Sequence, residues 1–592
     1  MNLFSYDVWD TLLKRYCKPE NTIHTALYWL CLKLGVLSSL PEVFCEVRKR
    51  ESLLYNNGQE YFISELVFNV MDELGLCSDY SPYDIRDEWD AIYYLVERNA
   101  TYVNNHVLEM LKNDAGVKIF ISDFYSSSSF LSDLLKFHGV ILDDGFSSCN
   151  TGKSKHRGDL YDIVFKKFSP NKWVHTGDNI YSDIKIAKKK GITTRHISKK
   201  SSGYLTRFKL DDEVRISFIL ISLCLKIIET CHEKKCYSVW FLTREGIFFK
   251  RIFDLFINKY NFLPAIEINT HILYVSRVAT SCLRFDKDDA YLGYSDAIEQ
   301  YGNSTDSFLS FFGLNDKFKH IIDTYDTVES IVCNKNDNMI LQLFSEIEDK
   351  RKKTLSYINE TGFALKDSIV VDIGWRGSIQ DNLACIPNAK IKAGCYIGLF
   401  EFFSTQSKNN KVASVFNQNE KKEKWMSKGV SFWETIFGSC GGSVIGYEQG
   451  KVVTKINSNE EKFIKNVIEY QNILYSVTER IVNDLAISKL DVWEVKKQAV
   501  RGYKKIVVNP SSNIADIYMG SLQNEIYGNN SFIEKNVDIS FFDLMSSIIS
   551  TKKRKVVVEH IKRNGWREGV LKSRLTTLPT KIASILVGSI WK

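Results

Sequence analysis

The sequence predicts an α/β fold in which parallel strands alternate with helices, and two observations carry this prediction. Short apolar runs at 3–6, 117–121 and 173–176 are each followed by a longer stretch with apolar residues at helical spacing. Each run is also closely followed by an acid or a hydroxyl residue. Because ligands in parallel sheets bind beyond the carboxyl ends of the strands, these residues predict a site at one sheet edge.

The composition is that of a globular protein with several domains. Of the 592 residues, 44% are hydrophobic and 25% are charged, which excludes a disordered chain, a collagen and a coiled-coil rod. A net charge of +7 is too weak over this length to predict nucleic acid binding. Cys231 and Cys236 flank His232, but a zinc site needs a second ligand pair, and the sequence offers none. Reduced thiols and an N-terminus without a basic leader predict a cytoplasmic protein.

Changes in polarity and periodicity predict three domains. Residues 1–197 form the first, an α/β domain in which the stretch at about 15–112 is predicted to be mainly helical. A second α/β domain spans 213–455 and follows a polar segment at 199–212. The last region, 456–592, is predicted to be mainly helical.

The second domain contains predicted strands at 238–242, 272–275, 369–372 and 394–400. An apolar run at 216–225 is about half as long as a membrane span requires, so it predicts a buried helix. The C-terminal stretch 578–591 leaves two interpretations open, a buried terminal helix or a peripheral contact with the inner face of a membrane.

Side chains that suit phosphoryl transfer follow the three N-terminal strands in chain order. They are Asp7, Thr11, Ser122, Lys155, Asp178 and Asp183. Asp7 supplies an attacking carboxylate, while Ser122 and Lys155 supply donors for phosphoryl oxygens. Asp178 and Asp183 offer oxygen ligands for Mg²⁺, and Thr11 offers a hydroxyl to the substrate.

Three nearby features have other interpretations. Lys153 competes with Lys155, which is preferred because its spacing to Gly158 fits the start of the following helix. His175 lies within the third strand and is expected to be a packed histidine. The serines at 126–129 are expected to form a polar loop.

These residues resemble the four motifs of the haloacid-dehalogenase (HAD) superfamily. The matching text is YDVWDTL at 6–12, ISD at 121–123, Lys155, and GDN at 177–179 followed by Asp183. The resemblance implies a Rossmann-type sheet with a helical cap and a phosphatase that forms an aspartyl-phosphate on Asp7. It also implies Mg²⁺ held by Asp7, Asp178, Asp183 and the backbone carbonyl of Trp9.

One position departs from the HAD pattern. Trp9 stands where phosphatases of the superfamily place a second Asp as general acid and base, and Asp10 follows one residue later. Either Asp10 serves instead through a shifted turn, or the leaving group needs little protonation. The dehalogenase branch also lacks the second Asp but uses no Mg²⁺, so the Asp178 and Asp183 pair favours phosphate chemistry.

Two loops of the second domain carry signatures of anion binding. The texts WFLTREGI at 240–247 and VVDIGWRGS at 370–378 each run from a strand through a Gly-bearing loop into a helix. Backbone N–H groups at a helix start bind phosphate, and an acid after the strand suits ribose hydroxyls or a metal. The residues expected to bind substrate are Arg244, Gly246, Gly374, Arg376, Gly377 and Ser378. Asp372 is a candidate base, and Arg277 is either a phosphate ligand or a surface ion pair.

This second part resembles a type I phosphoribosyltransferase over roughly 213–405. The resemblance implies one loop that holds the diphosphate of phosphoribosyl diphosphate and another that binds the ribose and its 5-phosphate. The sequence has Ile373 where the family has a second acid. The whole chain is also similar to bacterial proteins encoded with capsule and O-antigen assembly genes, on the text at 7–15, 241–246 and 372–377.

The two resemblances together predict a bifunctional, Mg²⁺-dependent enzyme of glycan assembly. The second domain is expected to move 5-phosphoribose from phosphoribosyl diphosphate to a lipid-linked glycan or oligosaccharide, after which the HAD domain removes the 5-phosphate. Two alternatives stay open. One is a stand-alone sugar-phosphate phosphatase whose second half binds or scaffolds, and the other is a non-catalytic partner in polysaccharide assembly.

Overall fold

A computed structural model confirms the predicted α/β class, with parallel sheets and many helices. The residues that the structure describes are 1–77, 80–198, 210–259, 267–286, 294, 298, 302–363, 367–402, 410–439, 441–455, 460–486, 492–520, 522–524, 532–534, 546, 550–563 and 565–574. The chain divides into two compact units. The first comprises Met1–Lys209, Lys259–Pro264 and Val482–Glu494, and the second comprises Leu210–Asn258, Ala265–Ile481 and Val495–Lys592.

The first unit is built on a five-stranded parallel sheet. Its strands, with those of a small antiparallel pair, are β1 Asn2–Tyr6, β2 Leu13–Arg15, β3 Thr101–Val103, β4 Val117–Ser122, β5 Asp144–Ser147, β6 Lys172–Gly177 and β7 Thr193–His196. The sheet order is β5-β4-β1-β6-β7, and β2 pairs with β3. Tyr6 at the end of β1 is level with Phe120 in β4 and Thr176 in β6. This register brings the polar residues after all three strands to one edge.

Helices fill the connections of the first unit. Between β2 and β3 run Pro19–Lys33, Leu40–Asn56, Ile63–Glu73 and Pro82–Ala100, where the sequence predicts the cap. After β3 come Asn105–Asn113, Ser128–Phe137, Ser148–Thr151, Asp159–Phe168, a π-helix at Ile180–Ile186, and Ala187–Lys189. The helix Pro82–Ala100 begins with a capping box formed by Ser81 and Asp84 around Pro82, which satisfies free N–H groups of its first turn.

The second unit contains another parallel sheet. Its strands are β8 Ser238–Leu242, β9 Asn269–Leu273, β10 Ser368–Asp372, β11 Ile391–Leu399 and β12 Lys411–Asn417, in the order β12-β11-β10-β8-β9. Strand β9 begins and ends earlier than the predicted 272–275. The strand ends earlier because the Val275 amide donates to the Thr243 hydroxyl, at 3.0 Å, instead of continuing the ladder.

The apolar run at 216–225 is buried throughout, inside the helix Asp212–Lys234, as the sequence predicts. The helices that follow along the chain are Gly246–Lys259, Arg277–Thr280, Thr305–Phe312, Lys319–Ile322, Val328–Cys333, Asn338–Thr361, Ser378–Ala384, Val430–Phe437, Glu460–Ala486, Val492–Val508, Ser512–Met519, Thr551–Arg563 and Arg567–Arg574. Of these, Glu460–Ala486 ends and Val492–Val508 begins within Val482–Glu494, which belongs to the first unit. Short strands pair as β13 Ser443–Glu448 with β14 Lys451–Lys455, and as β15 Leu522–Asn524 with β16 Phe532–Glu534.

Among the described residues, the helices are too short or too polar to cross a membrane. The stretch 578–591, for which the sequence leaves two interpretations, lies outside the described residues. The three predicted domain ranges stay predictions.

Candidate functional site

Three carboxyl groups meet at the edge of the first sheet. Asp7 directly follows β1, Asp178 directly follows β6, and Asp183 lies in the π-helix. Each offers one oxygen, and these oxygens lie within 4.8 Å of one another. Asp7 and Asp183 are buried, whereas Asp178 is half-buried. This spacing and this choice of ligand suit a hard, oxygen-ligated cation.

A buried lysine joins two of these carboxyl groups. Lys155 Nζ lies 2.5 Å from Asp7 Oδ1 and 2.7 Å from Asp183 Oδ1. Burial alone lowers the pKa of Lys155, but the carboxylates of Asp183 and Asp7 raise it well above its usual range. Lys153, the alternative, instead lies 3.7 Å from Asp159 at the surface. The structure therefore brings the preferred lysine to the predicted nucleophile.

The charges of this cluster fit a divalent cation. Burial raises the pKa of Asp7 well above its usual range, and the carboxylates of Asp183 and Asp178 add to this effect against the attraction of Lys155. Burial also acts to raise the pKa of Asp183, but Lys155 and His175 outweigh it and lower that pKa. Three carboxylates face one ammonium, so a doubly charged cation would balance the cluster.

The two predicted hydroxyl groups differ in their surroundings. Ser122 Oγ, at the end of β4, is buried and has no hydrogen-bond partner within the described part of the chain. A buried hydroxyl without a partner is costly, so Ser122 is suited to bind a ligand oxygen. Thr11 is also buried, and its Oγ1 lies 3.5 Å from Asp178 Oδ1. Its predicted contact with substrate stays a prediction.

Three residues that the sequence did not predict as site residues make hydrogen bonds to members of this cluster. His175, expected to be packed, is fully buried, and its Nε2 lies 3.3 Å from Asp183 Oδ1. The backbone amide of Asn179 donates to Asp183 Oδ2 at 3.0 Å. Asp123 Oδ1 accepts a hydrogen bond from the backbone amide of Lys155. The signal for Asp123 was its place directly after Ser122, at the same strand end.

Trp9, two residues after the predicted nucleophile, packs against two side chains. The Arg15 guanidinium carbon lies 3.4 Å from the centroid of the Trp9 ring, and the Phe124 centroid lies 4.8 Å from it. Arg15 in turn contacts both carboxylate oxygens of Glu97, which is fully buried on the helix Pro82–Ala100. Trp9 Nε1 is buried without a hydrogen-bond partner among the described residues. An indole cannot act as a general acid, so the position after Val8 provides none.

The loops after β8 and β10 share the edge of the second sheet, because these strands pair directly. Asp372 ends β10 and is buried, and burial raises its pKa well above the usual range with a further contribution from Glu245. Glu245 is also buried, and the Arg244 guanidinium lies 3.6 Å from its carboxylate. Glu245 was not predicted, although it stands within the Arg/Gly loop. The structure thus adds a second acid at this edge.

The loop after β10 is closely packed. Gly377 has φ +69°, and a Cβ there would lie 2.7 Å from Tyr396 Oη. The Arg376 carbonyl accepts from Lys411 Nζ at 2.8 Å, while Arg376 Nε donates to the Glu401 carbonyl at 3.2 Å. The remaining predicted residues of both loops are placed as follows: Gly246 is buried at the start of Gly246–Lys259, Gly374 packs against Gly398, and Ser378 begins Ser378–Ala384.

Among known proteins, this chain is similar to several solved structures. No family model matches the sequence, and no curated protein does. The solved structures that match include HAD hydrolases, which are similar to about the N-terminal third of this chain. L-2-haloacid dehalogenase from Xanthobacter autotrophicus is 14% identical, with 34% of this chain and 78% of that chain covered and a TM-score of 0.24.

Two further matches are similar in extent. 2-Haloacid dehalogenase from Pseudomonas syringae is 19% identical, with coverages of 36% and 92% and a TM-score of 0.26. The HAD-hydrolase YfnB from Bacillus subtilis, whose structure is described as bound to magnesium, is 15% identical, with coverages of 35% and 90% and a TM-score of 0.25.

Proposed function

We propose that the first unit catalyses Mg²⁺-dependent phosphoryl transfer with Asp7 as the nucleophile. The observation that carries this proposal is the Lys155 ammonium between Asp7 and Asp183, with Asp178 in the same cluster. An Asp7 oxygen attacks phosphorus while the bond from phosphorus to the leaving oxygen breaks. Water then attacks the phosphorus of the resulting aspartyl-phosphate, which frees Asp7 and inorganic phosphate.

The chain's own residues divide the remaining tasks. Asp7, Asp178 and Asp183 would hold Mg²⁺, which when bound neutralises phosphoryl charge, and the Trp9 carbonyl is the further ligand predicted. Lys155 and the unpartnered hydroxyl of Ser122 donate hydrogen bonds to phosphoryl oxygens. Asp10 is the second acidic residue of the loop after β1. We propose that it acts as the general acid that protonates the leaving oxygen.

We further propose that the second unit transfers 5-phosphoribose from phosphoribosyl diphosphate to a glycan hydroxyl. Two observations support this: the Arg244–Gly246 and Gly374–Ser378 loops lie at one sheet edge, and buried Asp372 has a raised pKa that suits a general base. The bond from ribose C1 to diphosphate breaks, the acceptor oxygen bonds to C1, and its proton passes to Asp372. Diphosphate leaves near Arg244.

The two activities form one reaction sequence. The first unit would remove the 5-phosphate from the transferred group, which leaves a pentofuranosyl residue and makes the sequence effectively irreversible. The acceptor would be a lipid-linked glycan or oligosaccharide, reached by peripheral contact at the inner face of the membrane. In one alternative the first unit is a stand-alone sugar-phosphate phosphatase, and in the other the chain is a non-catalytic assembly partner.

The test of the first unit compares two neighbouring lysines. With Mg²⁺ and p-nitrophenyl phosphate or ribose 5-phosphate, Lys155→Met should lower kcat/KM by about 100-fold or more, because one oxyanion donor alone is worth 10²–10³. The matched control is Lys153→Met, which removes the exposed ammonium that lies near Asp159. It should change kcat/KM by less than about threefold. Asp7→Asn and chelation of Mg²⁺ should each abolish turnover.

Turnover that survives in Asp7→Asn would refute the proposed nucleophile. Failure of the wild-type protein to form an acid-stable, hydroxylamine-sensitive phosphoenzyme would favour the non-catalytic alternative. The hydroxylamine test is specific because it cleaves acyl phosphates such as the one expected on Asp7.

The test of the second unit is calorimetric titration of phosphoribosyl diphosphate with Mg²⁺. We expect micromolar binding by the wild-type protein and a loss of at least about tenfold in Asp372→Ala, which corresponds to about 1.4 kcal/mol. Asp367→Ala is the matched control, because Asp367 precedes β10 and pairs with Lys392 at the surface. An absence of binding to the wild-type protein would leave the stand-alone phosphatase.

A further inference from the structure

The carboxylates of two aspartates accept hydrogen bonds from backbone amides of the loop that carries Lys155. Asp123 Oδ1 accepts from the amide of Lys155 at 2.7 Å, and Asp123 Oδ2 accepts from the amide of His156 at 3.0 Å. One residue earlier, Asp159 Oδ1 accepts from the amide of Ser154 at 2.8 Å. Both oxygens of Asp123 are therefore engaged with the segment from which the Lys155 side chain leaves.

We propose that Asp123 is a positioning residue that fixes Lys155 for phosphoryl transfer. This inference rests on the proposed function of the first unit. Lys155 Nζ lies within hydrogen-bond distance of Asp7 and Asp183 at once, and the residue is buried. A lysine side chain has several rotatable bonds and loses rotamer entropy when its ammonium is held in such a place. Fixing its backbone limits the positions that Nζ can reach.

The second feature is that Asp123 joins the lysine to the strand that carries Ser122. Asp123 directly follows β4, so it couples the end of that strand to the backbone of a loop more than thirty positions later. Asp123 therefore links the backbone segments that carry Ser122 Oγ and Lys155 Nζ, the two donors proposed for the phosphoryl oxygens. Loss of Asp123 should shift Lys155 without removing its charge, and a misplacement of about 1 Å can cost about 100-fold in rate.

A double-mutant cycle between Asp123 and Lys155 tests this role in the full-length protein with p-nitrophenyl phosphate and Mg²⁺. Asp123→Ala should lower kcat by about 30- to 100-fold in the wild-type background. In the Lys155→Met background the same substitution should lower it less than about threefold, because the group that Asp123 positions is already absent. Asp123→Asn keeps one accepting oxygen and should recover part of the loss.

The matched control is Asp143→Ala. Asp143 Oδ2 accepts from the backbone amide of Lys118 at 2.7 Å, the same kind of bond, at the opposite end of β4. It should leave kcat within about threefold and show no coupling to Lys155→Met. Thermal melting and Mg²⁺ titration of each variant report whether the fold and the acidic cluster persist.

The outcomes separate the two proposals. Equal losses from Asp123→Ala in both backgrounds would overturn the positioning role while leaving the proposed nucleophile intact. Turnover that persists in Asp7→Asn would overturn the proposed function and this inference with it. If Asp123→Ala does not fold, the cycle is measured with Asp123→Asn, for which additive losses again overturn the role.

Discussion

The buried ion pair beside Trp9 provides the sharpest test of the packing in the first unit. Arg15 Nε and Nη2 contact the Glu97 carboxylate at 3.0 Å each, and Glu97 is fully buried. The hydroxyls of Tyr93 and Thr22 both donate to Glu97 Oε1 at 2.7 Å. Arg15→Met would remove the positive charge and leave the carboxylate with its hydroxyl donors.

The magnitude follows from what remains around Glu97. Removing one partner of a buried pair costs about 3–5 kcal/mol, and the two remaining hydroxyl bonds place this case near 3 kcal/mol. A loss of about 3 kcal/mol corresponds to roughly a 100-fold increase in the equilibrium constant for local unfolding, because about 1.4 kcal/mol corresponds to a factor of ten. In the double variant with Glu97→Gln, the amide oxygen keeps both hydroxyl bonds and no charge is buried, so most of the loss should be recovered.

Hydrogen exchange read by mass spectrometry measures this locally, on amides of the helix Pro82–Ala100 in the full-length protein. The control is Arg50→Met, because Arg50 pairs with Glu46 and Glu73 at the surface, where ion pairs contribute little. Exchange of this helix in Arg15→Met within about threefold of wild type would refute the reasoning. Failure of Glu97→Gln to recover stability would show that the loss arises from packing against Trp9.

Other predictions concern both sheet edges. Asp10 has φ +57°, which Asn tolerates, so Asp10→Asn should lower turnover of ribose 5-phosphate by about 100-fold or more but that of p-nitrophenyl phosphate far less; equal losses would exclude an acid role. Burial raises the pKa of Asp372 and of Glu245, so the folded state holds more protons, and the second unit should lose stability as pH rises from about 4. Thermal unfolding at pH 5 and pH 7 should show this slope, reduced in Asp372→Asn. Gly377→Ala should destabilise that unit by about 1–2 kcal/mol and weaken binding of phosphoribosyl diphosphate, measured by calorimetry.

The sequence predicted those parts of the site that depend on strand ends. Asp7, Ser122 and Asp178 come together because parallel strands in register place the residues that follow them at one edge. The place of Asp123 after Ser122 indicates the same sheet edge, but its hydrogen bond to the backbone of a distant loop could not be predicted from the sequence. Periodicity carries no information on such a bond.

The end of β9 shows a second limit of pattern reasoning. Tyr274 and Val275 continue the apolar run, so the sequence placed them in the strand. In the structure the Thr243 hydroxyl accepts from the Val275 amide and donates to its carbonyl, which replaces the ladder bonds with a side-chain bridge. A threonine at the end of a neighbouring strand is too common a feature to indicate this bridge in advance.

Trp9, which stands where the HAD motif has a second Asp, is held in place by its contacts. Its ring packs against Arg15 and Phe124, and Arg15 in turn pairs with the fully buried carboxylate of Glu97. An indole provides no proton, so in the proposed phosphoryl transfer either Asp10 supplies the acid or the leaving group needs little protonation. Asp10 follows directly after Trp9 and has a left-handed backbone. The leaving-group dependence of Asp10→Asn therefore decides whether the acid has moved by one residue or has been lost.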